Sequence, residues 1–408
     1  MERGKGITKI YRSQAEAVVH TLGAVLTEGR YADKEIERTL RSDKRRGSSD
    51  RAFIASAVYG VVRYKRLYMY VCGMDAIRSE ADVWRLLAAH VLFNGGSLPP
   101  WEEFAGVDVR ALEKRYESAL RIRAVRESIP DWLDEIGRQE LPDCWTEELA
   151  AMNREAPVVL RANTLRTNVR GLQEALERGG IVTRRVDGCP DGVELVRRAN
   201  VFDTTAFRNG LFEVQDASSQ KVAVLLAPEP GMRVIDACAG GGGKTLHLAA
   251  LMQGKGTVIA MDVYARKLEE LKRRARRAGA SNIETRTIEG SKTIKRLEGK
   301  ADRLLLDVPC SGLGTLRRNP DAKWKLSPEF LDEVTALQHE ILSSYCRMVR
   351  VGGRLVYSTC SVLPRENERQ VERFLSENPV FRLLEQHSLL SGRDGYDGFY
   401  MALLERTE

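Results

Sequence analysis

Paired cysteines and clustered histidines are missing from this chain. Seven cysteines and five histidines are spread over 408 residues, and no two cysteines stand in a C-x-x-C. That excludes the common zinc frameworks and a disulfide scaffold, and no metal centre is expected. The cysteines are odd in number, so they are read as reduced thiols, either buried or chemically used. Long apolar runs are missing too: nothing approaches the ~18 residues a membrane span needs. The start, Met1 to Gly6, leads into charged helix-like sequence without the apolar stretch of a signal peptide, so a cytoplasmic location is expected. Internal repeats and low-complexity tracts are absent. A strong charge bias is absent as well: 64 Lys+Arg against 57 Asp+Glu leave +7. That excess fits a polyanion partner without requiring one. What is present, 43% hydrophobic and 30% charged residues, describes a globular protein of two or three domains with a sizeable core.

Three stretches differ in texture. Residues 1–145 read as helices, with Ala17, Val18, Leu22, Val25 and Leu26 on one stripe and Phe53, Ile54, Ala57, Val58, Val61 and Val62 on another. Arg41 to Ser49 is a basic turn, read equally as a solvated loop or an RNA phosphate contact. Residues 146–228 mix short strands with a helix over Val169–Arg178, as in a small α+β linking module, and Pro228-Glu-Pro-Gly marks its end. Residues 229–408 alternate strands and helices, which predicts a mostly parallel sheet covered on both faces. Ligands of such sheets bind at the carboxyl ends of the strands.

The first strand of that last stretch ends in Asp236-Ala-Cys-Ala-Gly-Gly-Gly-Gly-Lys-Thr. A triphosphate-binding P-loop would need glycine at Cys238, and a dinucleotide fingerprint would need it at Thr245. Both patterns fail. A glycine turn between a strand and a helix still lets backbone approach a ligand closely, and Asp262 closes the next strand where ribose hydroxyls are held. The prediction is a nucleoside ligand without a triphosphate cradle, which S-adenosylmethionine satisfies. Two later strands end at thiols. Leu304-Leu-Leu-Asp307-Val-Pro-Cys310 and Val356-Tyr-Ser-Thr-Cys360 bring both to the sheet edge where chemistry belongs. Cys72, Cys144, Cys189 and Cys346 are read as small core residues.

These motifs are recognisable together. Asp236 to Thr245, Asp307-Val-Pro-Cys310-Ser-Gly, Tyr357-Ser-Thr-Cys360-Ser and Glu366-Asn-Glu368 occur in one order. With them come Arg318-Asn-Pro-Asp-Ala-Lys323-Trp324 and the closing Asp397-Gly-Phe-Tyr-Met-Ala. The chain resembles the RNA 5-methylcytosine methyltransferases of the Sun/RsmB family over nearly its whole length. Asp50-Arg-Ala-Phe-Ile and Val58-Tyr-Gly-Val-Val-Arg63 resemble the helical RNA-binding domain of the antitermination protein NusB.

The resemblance implies a Rossmann-like class I methyltransferase domain at 229–408. It is preceded by an all-α NusB-like domain at 1–145 and an RNA-recognition-like α+β module at 146–228. It implies methylation of C5 of a cytosine, with S-adenosylmethionine as cofactor and small-subunit rRNA as partner. It assigns Cys360 as nucleophile, Cys310 to product release and Asp307 to cytosine N3 and the cofactor; sequence position alone leaves the roles of the two thiols open. The cofactor contacts carried over are Cys238, Ala239, Gly240, Gly241, Gly242, Gly243, Lys244, Asp262 and Asp307. Lys323, Trp324 and Arg318 are candidates for RNA contact, pairing cations with a stacking ring. In the helix at Tyr264–Ala278, Lys267, Lys272, Arg273, Arg274, Arg276 and Arg277 are read as a solvated face in preference to an RNA track.

Two departures stand out. Gly240-Gly241 replace the family's Ala-Pro, which predicts a looser turn, and Ser291 stands where an aspartate is usual. Weaker cofactor affinity is the expectation. The competing readings are a P-loop NTPase, a non-catalytic RNA-binding protein, and the same chemistry on tRNA or large-subunit rRNA. A monomer is expected.

Overall fold

The structure, a computed structural model, describes residues 9–408. The chain forms two compact units, one reaching through Arg154 and taking in Leu316–Pro328, the other Glu155–Thr315 with Glu329–Glu408.

The first unit is helical. Helices Arg12–Leu26, Ala32–Ser42, Ser48–Arg63, Lys65–Cys72, Glu80–Phe93 and Val109–Ala119 surround a core of Leu22, Val58, Val62, Leu67, Leu86 and Leu87. Glu80–Phe93 is apolar on most sides and is buried accordingly. Its start is set by Ser79, whose hydroxyl accepts from the Asp82 amide while the Asp82 carboxylate accepts from the Ser79 amide. The charged helix Ala32–Ser42 buries only Ala32, Glu35, Ile36 and Thr39.

The second unit holds two sheets. Strands β1 (Val159–Ala162), β2 (Thr183–Arg185), β3 (Gly192–Leu195) and β4 (Phe212–Val214) form an antiparallel sheet in the order β2-β3-β1-β4, with helix Val169–Glu177 packed on it. The larger sheet contains β5 (Arg233–Asp236), β6 (Thr257–Asp262), β7 (Ile283–Thr287), β8 (Ala301–Asp307), β9 (Val349–Thr359), β10 (Phe381–Leu389) and β11 (Phe399–Arg406). Its order is β10-β11-β9-β8-β5-β6-β7, parallel from β7 to β9 and antiparallel at β11 and β10. Leu304, Leu305 and Leu306 are buried on both faces of β8, as a covered parallel strand requires. The strand order reverses between β5 and β8, which places a crevice at their carboxyl ends. No helix among the described residues is long and apolar enough to cross a membrane.

Candidate active site

Four strands deliver side chains to that crevice. Asp236 ends β5, Asp262 ends β6, Asp307 ends β8, and Cys360 follows the last residue of β9. After β5 the chain turns through Cys238–Gly242 into helix Gly243–Leu251. The Gly240 amide donates to one Asp262 carboxylate oxygen and the Tyr264 amide to the other, each at 2.9 Å. Gly240 and Gly242 have φ of 52° and 88°, in the left-handed region that glycine adopts without strain. A Cβ on Gly242 would lie 2.5 Å from Leu271, whereas one on Gly240 would meet nothing within 4 Å. Gly242 therefore permits close helix packing, and Gly240 borders open space.

Beyond the turn, Lys244 Nζ pairs with Asp307 Oδ2 at 2.7 Å, and the Ser358 hydroxyl donates to Asp307 Oδ1 at 3.0 Å. Asp236 is fully buried, and burial lifts its carboxyl to about 7, offset in part by the Thr245 hydroxyl donating to it at 2.7 Å. Burial together with Asp236, Asp307 and Asp262 pushes the Cys238 thiol well above its ordinary value, which makes it a poor nucleophile.

The two strand-end cysteines meet. Cys310 Sγ lies 3.2 Å from Cys360 Sγ. Contact with Cys360 comes first, then burial and the nearby Glu366 charge, in raising the Cys310 thiol well above its usual range. Glu366 explains why the two loops converge. Its buried carboxylate accepts from the Ser311 amide (2.8 Å), the Ser311 hydroxyl (2.5 Å), the Ser361 hydroxyl and Gln338 Nε2 (3.0 Å). Ser311 and Ser361 each follow a cysteine, so one carboxylate ties both thiol loops. Gly314 completes the junction: its amide donates to Cys360 O at 2.9 Å, and a Cβ there would stand 2.0 Å from Gly398 O. The sequence shows Glu366, Ser311 and Ser361 within motifs but assigns them no role, and nothing in it pointed to Gln338.

Two arginines hold the glycine turn: Arg274, which the sequence reading placed on a solvated face, and Arg161, to which it gave no role. Arg274 donates to Gly241 O at 2.7 Å and Arg161 to Gly243 O at 2.8 Å. The turn expected to be loose is pinned. Ser291 is exposed at the start of helix Ser291–Lys295, and Glu289 is exposed beside it.

Of the residues expected at RNA, Lys323 is 2% exposed and packs inside the first unit, where burial lowers its amine to about 7. Trp324 packs on the helical core and donates from its indole to Val62 O at 2.8 Å. Lys323 and the inward edge of Trp324 thus serve that unit's interior, while Arg318 is half-buried. Cys189 and Cys346 are buried as expected, but Cys72 and Cys144 are half-exposed. No group of three His, Cys, Asp or Glu side chains among the described residues is placed to hold a metal ion.

Residues 223–405 match the family described as 16S rRNA methyltransferase RsmB/F, and residues 129–202 match its ferredoxin-like domain. A Synechocystis protein described as a probable ribosomal RNA small subunit methyltransferase B is 33% identical over 86% of each chain. The crystal structure of PH0851 superposes with a TM-score of 0.84 and 25% identity over 98% of this chain and 99% of that one. A methyltransferase homologue from Pyrococcus horikoshii gives a TM-score of 0.63 and 28% identity over 71% of this chain and 99% of its own. With the thiol pair and glycine turn at the crevice of the sheet, and with a relative matched along most of both chains, this chain belongs to the RsmB/F family of 16S rRNA methyltransferases.

Proposed function

We propose that the protein transfers a methyl group from S-adenosylmethionine to C5 of a cytosine in 16S rRNA, acting as a cytoplasmic monomer. The observation that carries this reading is the thiol pair at 3.2 Å, with Cys310 following Asp307 in the chain. C5 of cytosine is a weak nucleophile, so its methylation calls for covalent activation at C6. Addition of the Cys360 sulfur to C6, with the thiol's proton passing to N3, makes C5 electron-rich, and the protonated N3 donates to the Asp307 carboxylate. Bound S-adenosylmethionine would supply an electrophilic methyl on a sulfonium. A base then takes the C5 proton, the sulfur–C6 bond breaks, and the Cys360 thiolate leaves. Cys310, held as a neutral thiol by its contact with Cys360, burial and Glu366, is suited to give and take a proton during release.

The residues fit the cofactor. The Asp262 oxygens fixed by backbone amides can accept from ribose hydroxyls, and Val263 and Tyr264 beside them are exposed apolar surface for a base. Gly240 leaves the turn open on its ligand side. The target cytosine must leave any stack to reach a thiol at a strand end.

The test is bisulfite sequencing of unmodified 16S rRNA and tRNA after incubation with the protein and S-adenosylmethionine. One protected cytosine in 16S rRNA is expected; protection confined to tRNA would overturn the substrate, and none in either RNA the activity. In parallel, Cys310→Ser should accumulate an RNA–protein adduct stable on a denaturing gel, and Cys360→Ser should form none. The reverse pattern would exchange their roles.

A further inference from the structure

Four consecutive glycines, 240–243, form the cofactor turn, and such a run loses more backbone freedom on ordering than any other sequence. Left to itself it would be ordered only when a ligand bound, and that ordering would weaken affinity. The two carbonyl contacts of the turn remove this freedom beforehand, and both lead to the ferredoxin-like sheet. On that sheet Arg161 of β1 stands opposite Glu213 of β4 in the antiparallel register, so both project from one face. Arg161 reaches the turn directly, donating from Nη1 to Gly243 O and to the side-chain oxygen of Gln215. Glu213 reaches it through helix Ala265–Ala278: its carboxylate accepts from Arg274 Nη2 at 3.0 Å, and Arg274 Nη1 donates to Gly241 O. Arg277 holds the other Glu213 oxygen at 2.5 Å.

Arg161 and Glu213 are 2% and 4% exposed. Burying a guanidinium whose acceptors are a neutral amide and a carbonyl is costly; burial lowers Arg161 to about 10. Packing alone would be served more cheaply by an apolar side chain.

We propose that Arg161 and the Glu213–Arg274 bridge clamp the glycine turn in its cofactor-receiving form, so that S-adenosylmethionine affinity is set partly by residues of the ferredoxin-like module. Arg274 and Arg161 are positioning residues that act through Gly241 and Gly243. The inference rests on the reading of S-adenosylmethionine as cofactor.

The test is a double-mutant cycle read by calorimetric titration of the full chain with S-adenosylmethionine. Arg274→Met keeps the alkyl stem and leaves Glu213 paired with Arg277, so the fold survives. Gly241→Pro stiffens the turn by another route: its φ lies outside the left-handed region, proline keeps the carbonyl, and a Cβ there stands 3.3 Å from the guanidinium end of the long Arg274 side chain. Arg274→Met should weaken binding at least fivefold while the ligand-free protein still unfolds in one cooperative transition. In the Gly241→Pro background the same change should cost less than twofold. Unchanged affinity in Arg274→Met, or equal losses in both backgrounds, overturns the clamp and leaves the cofactor reading standing. A native chain that binds no S-adenosylmethionine overturns both.

Discussion

Glu366 has no cationic partner among its four hydrogen-bonding contacts, and all of them come from the scaffold of the two thiols. Glu366→Gln keeps the volume but replaces one acceptor oxygen with a donor, so at least one serine hydroxyl loses its partner. Methyl transfer should fall by about tenfold or more, through kcat, while cofactor affinity holds. Because the Glu366 charge raises the Cys310 thiol, alkylation of Cys310 in the variant should also move to lower pH. Lys323 poses the opposite problem, a buried amine that donates to the neutral Asn153 Oδ1 at 3.4 Å and pairs with no carboxylate among the described residues. Its folded value of about 7 lies below the ordinary 10.5, so between those values the unfolded chain binds more protons and stability rises with pH. Below pH 7 the cost of burying the charge is fully present. Lys323→Met should therefore raise the melting temperature most at pH 6, with the gain shrinking toward pH 10 in calorimetric scans. Legibility at this scale divided sharply: cysteines at strand ends could be read, but a carboxylate's partners fifty residues away could not.

Elements whose two faces differ in burial could be read from periodicity, and those lacking that contrast could not. Strands β5, β6 and β8 end at Asp236, Asp262 and Asp307, where the sequence places their ends. Strands β10 and β11 carry no alternating pattern: β10 is an edge strand exposed over its middle, and Phe399–Leu404 of β11 is continuously buried. Helix Pro328–Tyr345 passes into a short 3-10 turn at Cys346–Met348, and Val349 already belongs to β9. Two glycines separate space from function. Gly23 lies inside helix Arg12–Leu26 with nothing near its missing Cβ, so Gly23→Ala should stabilise the helical unit by about 1 kcal/mol in denaturant titrations. Gly314→Ala forces apart the backbones at Gly398 and Cys360 and should destabilise the catalytic unit by about 1–3 kcal/mol. It should also lose activity at temperatures where the native fold persists.

Across the molecule, the arginine-rich composition serves the inside as much as the surface. Arg63 donates to the carbonyls of Asn153, Arg154 and Arg317, Arg66 to Ile129, Arg161 to Gly243, Arg274 to Gly241 and Arg303 to Leu226. Formal charge therefore overstates the cations free to meet a polyanion. The surface excess still predicts salt-sensitive RNA binding: about four neutralised phosphates on a single strand would give a log–log slope near −3. Filter binding from 50 to 300 mM salt (about that range) checks this, and a flat response would remove RNA phosphate as a main partner.

The family chemistry was written in short local strings, because a thiol at a strand end and a glycine turn before a helix are local facts of period and spacing. Wide alternation of strands and helices likewise implied the covered parallel sheet. Other features arise only when distant segments meet. The 3.2 Å approach of Cys310 to Cys360 depends on β8 and β9 being neighbours. Lys323 became interior because residues 316–328 belong to the helical unit, although they lie in sequence between strands of the large sheet. The glycine turn is stiff because carbonyl acceptors, invisible in any side-chain pattern, found arginines from β1 and from helix Ala265–Ala278. Hydrogen bonds to backbone carry no residue-type signature at the acceptor, so no reading of a single chain can foresee them.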